Sequence, residues 1–135
     1  MSAASNAGAP APIRKGWAAY AAILTALIVA GEVANLAQGK LDPRTLANWV
    51  VTAVLLVATW GYALRRRIGA ARYWAPAFWV VLLATLVTLV PVVIAGAAGL
   101  YVAGVSLLLL APAFWAAWRY AYRSPDLWPS TEVPR

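Results

Sequence analysis

The chain has no cysteine and no histidine, and only four acidic residues among its 135. Without thiols it can build no disulfide, no thiolate nucleophile and no zinc–thiolate site. Without imidazole it loses the usual acid–base group at neutral pH and the commonest metal ligand. The four carboxylates (Glu32, Asp42, Asp126 and Glu132) are scattered along the chain, leaving little material for general acid–base catalysis. The expectation is therefore a protein that is no enzyme and holds no metal or cofactor. Charge of either sign is scarce too. Charged residues make up 11% of the chain, where a soluble domain carries about a quarter.

Apolar residues take the vacated space. They form 64% of the sequence, and the mean hydropathy is +0.73. Such a composition calls for a lipid solvent, and the apolar residues fall in long runs. A bilayer core of about 30 Å needs about 20 helical residues to cross it. The first run, 17–37, follows Arg14 and Lys15 and ends near Gly39, Asp42 and Pro43. The second, 46–64, can be capped by Asp42 or Thr45, stops at Arg65, Arg66 and Arg67, and is followed by Gly69. From Tyr73 to Trp118 the chain then carries no charge for 46 residues, about twice the length of one crossing. It must fold back, and Gly96 and Gly99 offer the backbone freedom for the turn. Spans of 75–95 and 99–119 result, with Pro91 kinking the third helix.

This reading predicts an all-α, polytopic integral membrane protein: four transmembrane helices in an antiparallel up-down bundle. The transmembrane domain covers 15–122. Residues 1–14 form a disordered tail and residues 123–135, rich in proline, an irregular one.

The net charge of +7 would suggest nucleic acid in a soluble protein. Here the basic residues edge the apolar runs, and no nucleic-acid partner is expected. Nine of them (Arg14, Lys15, Arg65, Arg66, Arg67, Arg72, Arg119, Arg123 and Arg135) fall on one side of the four-span arrangement. Lys40 and Arg44 fall on the other. The positive-inside rule makes the crowded side cytoplasmic, with both termini inside, as in a bacterial inner membrane. Twelve of the fourteen Trp and Tyr residues lie toward the same side.

Two candidate sites emerge. Arg65, Arg66, Arg67 and Arg72, beside Trp60, Trp74 and Trp79, suit anionic lipid phosphate or an acidic partner. Glu32 is the only ionisable residue inside a span, and such residues are functional candidates by default. It lies about 22 Å along the helix from Trp17, toward the outer third of the bilayer. Asn35 and Thr25 share its face, and Lys40 or Arg44 are candidate ion-pair partners.

Small residues set the packing expectations. Ala18, Ala22, Ala26, Ala30 and Ala34 recur every four residues in the first helix. Gly99, Ala103, Ser106, Leu110, Ala113 and Ala117 form a heptad-like stripe in the fourth. Both stripes are expected inside the bundle, with a homodimer face as the alternative. Asn48, Thr52, Thr59, Thr85, Thr88 and Ser106 serve either as packing glue or as a polar path.

The leading functional expectation is a small accessory or interaction subunit, packed against another membrane protein, a second copy, or anionic lipid. The alternative is a small transporter or channel component using Glu32 as a proton- or cation-coupled carboxylate. The two predict different interiors. A transporter needs a polar cavity that reaches Glu32. An accessory subunit should be a closed apolar bundle with an exposed small-residue face.

Overall fold

The computed structural model describes residues 12–39, 43–123 and 127–128. The expected amino-terminal tail lies almost wholly outside the described residues, as do Lys40, Asp42 and most of the carboxy-terminal segment. The described chain is four helices: α1 (Lys15–Ala37), α2 (Pro43–Leu64), α3 (Ala71–Ile94) and α4 (Ala97–Tyr122). All four are long and apolar enough to cross a bilayer. The molecule is thus a multi-pass membrane protein, built from four helices whose backbone hydrogen bonds are satisfied internally.

The helices run past the limits set by the apolar residues. Helix α2 begins at Pro43, where a missing N–H is harmless because the first turn has no acceptor for it. Helix α3 begins at Ala71 and takes in Arg72 and Trp74, good or adequate helix formers that mark the bilayer edge rather than the helix end. Helix α2 is ended by Arg65 itself, which adopts φ +53. Gly69 is left-handed as well, four residues later in the loop. The turn between α3 and α4 is tighter than 95–99. Gly96 takes φ +100, and α4 starts at once. A Cβ on Gly99 would lie 1.8 Å from the Val92 carbonyl oxygen, so only glycine lets the two helices meet this closely.

Helix α2 packs against each of the others, and α3 against α4. One end of the bundle gathers the start of α1, the end of α2, the α2–α3 loop and the end of α4. There the Arg14 N–H bonds the Ala63 carbonyl at 3.0 Å. The buried core lies toward this basic end, with Leu24, Leu55, Ala58, Tyr62, Ala113, Ala117 and Tyr120 in one cluster. Trp128, 1% exposed, closes it. Gly61 admits the Tyr120 ring. A Cβ there would stand 2.9 Å from that ring.

Helices α1 and α4 meet through aromatic side chains. Trp17 stacks on Trp115 at 5.4 Å and meets Tyr62 edge-on at 5.3 Å. The Tyr20 hydroxyl donates to the Leu109 carbonyl at 2.7 Å and accepts from the Ala113 N–H at 3.1 Å. An unbroken helix would join those two backbone groups to each other. Pro112, inside α4, lacks an N–H and crowds the preceding turn. The phenol enters the ladder beside it.

The stripe in α4 faces inward, with Gly99, Ala103, Ala113 and Ala117 buried. The alanine ladder of α1 does not. Ala22, Ala26, Ala30 and Ala34 are exposed, and the buried residues of this helix are Ala21 and Leu24. The larger side chains decide the rotation of α1, since Trp17, Tyr20, Leu24 and Ile28 contribute to the core and make more packing contacts than alanine methyls can.

Candidate functional site

At the basic end the loop is a latched structure. Tyr120 Oη donates to the Arg66 carbonyl and accepts from the Ile68 N–H, both at 2.9 Å. Trp74 Nε1 donates to the Ile68 carbonyl at 2.7 Å, and Trp128 Nε1 to the Tyr120 carbonyl at 2.9 Å. Arg66, Arg67 and Arg72 are exposed and Arg65 is half-buried. The Arg67 guanidinium sits 5.4 Å from the Trp128 ring, and that of Arg72 sits 4.8 Å from Tyr73. The structure thus joins Trp74 to the arginine loop. Trp60 and Trp79 are engaged elsewhere: Trp60 Nε1 donates to Thr25 Oγ1 and Trp79 Nε1 to Tyr122 Oη, each at 3.1 Å.

Toward the other end the helices part. A cavity of about 310 Å³ opens between all four, lined by Glu32 and Asn35 of α1, Asn48 and Thr52 of α2, Thr85 and Thr88 of α3, and Ser106 of α4. Leu55 and Leu110 also line it, one turn from the packed Ala58 and Ala113. The volume lies at the small end of ligand pockets. Seven polar side chains from four helices thus meet in one space within otherwise apolar helices.

The chemistry of the lining is one-sided. Glu32 is its one anionic group, and no cationic residue lines it. Thr85 and Thr88 donate their hydroxyls to the Val81 and Ala84 carbonyls of their own helix, both at 2.8 Å. Their donors are spent, so they offer oxygen lone pairs to the interior. The lining suits a cation or a hydrogen-bond donor better than an anion.

Glu32 is held from outside this cavity. Trp49 Nε1 donates to Glu32 Oε2 at 2.6 Å, so among the described residues the carboxylate's partner is a neutral indole from α2; Lys40, one of the two loop partners expected for it, lies outside them. The helical pattern had also grouped Thr25 with Glu32 and Asn35. Asn35 does share the cavity, but Thr25 does not. Its hydroxyl donates to the Ala21 carbonyl at 2.6 Å and accepts from Trp60. Thr25 is seven residues from Glu32, about 10 Å along the helix, which puts it level with the packed core. Patterning within one helix does not pair Trp49 with Glu32, yet the sequence carries a signal for it. Glu32 and Trp49 lie nearly equal distances from the connection at 40–42, so two helices that fold back there place them side by side.

No family model, no curated protein and no solved structure matches this chain. Its class rests on its own helices.

Proposed function

We propose that the protein is a small transporter or channel component that binds a cation or a protonated amine in the four-helix cavity. Glu32 serves as the counter-charge. The single observation that carries this reading is the convergence of Glu32 with six neutral polar side chains in one space of about 310 Å³. A desolvated carboxylate is costly inside a membrane, and a bound cation or a proton offsets that cost. Asparagine and threonine oxygens supply further acceptors once the cation sheds water. The positive-inside rule puts the basic end in the cytoplasm and both termini inside, with the helices alternating in direction. The cavity then faces the outer leaflet, and the core at the basic end closes the route inward.

The test is flux in proteoliposomes, using labelled ethylammonium with and without a pH gradient. The wild type should exchange the label faster than empty vesicles, and Glu32→Gln should fall to the empty-vesicle rate. Equal flux through the wild type and Glu32→Gln would overturn the reading.

A second reading keeps the interaction role, because the exposed ladder Ala22, Ala26, Ala30 and Ala34 offers a helix face on which a second copy could pack. The chain has no cysteine, so Ala26→Cys provides a unique thiol. A disulfide-linked dimer forming in native membranes supports this reading, and a purely monomeric product removes it. At the basic end, exposed Arg66, Arg67 and Arg72 suit anionic headgroups. Replacing all three with Gln should lower co-purified anionic lipid.

A further inference from the structure

Glu32 belongs to two spaces. Besides the polar cavity, it lines a groove of about 310 Å³ on the outer face of α1 and α2, whose other walls include Val29, Val33, Leu36 and Leu56. Ile28 and Thr52 also line both spaces. Trp49 lines the groove and holds the carboxylate from that side at 2.6 Å. Val29 and Val33 are more than half exposed, and in a bilayer that face meets acyl chains. An acidic group at the boundary between an apolar, lipid-facing groove and a polar chamber is poorly placed for a purely aqueous solute. A carboxylate oxygen pair with one indole donor retains acceptor capacity for a second partner.

The geometry points to a lateral entry route for an amphipathic monocation, with Trp49 as the residue that guards it. The apolar tail occupies the groove, and the cationic head takes over the carboxylate from the indole. Charge complementarity selects the occupant. An anionic amphiphile would meet Glu32 with like charge, and a neutral lipid tail would leave the indole bond intact. Release of Trp49 frees the carboxylate to carry the head into the cavity, where the threonine oxygens face it. This inference rests on the proposed binding role of Glu32 and adds the substrate class and the path.

The test uses the full chain in nanodiscs, with its tryptophans replaced by 5-fluorotryptophan and the Trp49 resonance assigned by its loss in Trp49→Phe. Decyltrimethylammonium should shift that resonance saturably. Decyl sulfate should not, and Glu32→Gln should raise the midpoint about tenfold, the scale of one charge-assisted contact. An equal shift by decyl sulfate, or an unchanged midpoint in Glu32→Gln, would overturn the lateral route. The ethylammonium flux separates the two ideas. If flux depends on Glu32 while the Trp49 resonance ignores the alkylammonium, the cavity stands and the groove entry falls. If neither responds, both fall. Should Glu32→Gln fail to fold, Glu32→Asp provides the second variant. It keeps the charge but shortens its reach, and it should weaken the Trp49 response while leaving the other fluorotryptophan resonances in place.

Discussion

The basic end and the Glu32 end of the bundle are made of similar helices with opposite interiors. At the basic end, aromatic rings and alanines interlock. Tyr120 lies on Gly61, Trp17 stacks on Trp115, and the loop is stitched by Tyr120, Trp74 and Trp128. At the other end, the buried helix residues beyond the cavity floor are Gly99 and Ala103, and the space between the helices is lined with hydroxyls, amides and one carboxylate. Lipid supplies no hydrophobic force between helices, so association depends on packing and hydrogen bonds. The first end concentrates both. The second forgoes them and gains a chamber. Stability and binding are therefore divided between the two ends.

Substitutions can break or sharpen that division. Tyr120→Ala removes a fully buried ring and both loop hydrogen bonds, and should cost about 3–5 kcal/mol in denaturant unfolding from micelles. Gly61→Val forces the Tyr120 ring away and should cost about 1–3 kcal/mol in the same assay. Tyr20→Phe leaves the Leu109 carbonyl and the Ala113 N–H without their bridge. A loss of about 1–2 kcal/mol is expected, with faster amide exchange at Ala113. Ser106→Ala, inside the chamber, should change stability by less than about 0.5 kcal/mol while weakening ethylammonium flux. If Ser106→Ala destabilises as much as Gly61→Val, the chamber is structural and the division fails.

The helices were legible because hydropathy and length leave few alternatives for four long apolar runs. Helix ends were less so. The second helix does stop at Leu64, but Arg44 and Arg72 register where the lipid stops while α2 and α3 begin before them. The orientation of α1 was misread from its alanines because this chain has 31 of them, enough to create a period of four on any face. The polar residues of α2, α3 and α4 were visible individually, but their convergence depends on how the helices splay, which no single-helix pattern contains. Charge pairing points Glu32 to Lys40 or Arg44, whereas its described partner is Trp49. In an apolar setting an indole N–H satisfies a carboxylate without bringing in a second ion, and Trp49 had the right spacing from the turn.

The Tyr20 hydroxyl in the α4 ladder has a mechanical consequence. Pro112 gives the Leu108 carbonyl no N–H to accept, and the next backbone link, from Ala113 to Leu109, passes through a phenol on another helix. Two consecutive rungs are thus missing or borrowed beside Leu110, at the chamber floor. Helix α4 is in effect two rods with a splinted joint. The strut that sets the angle between the rods belongs to the same helix as Glu32.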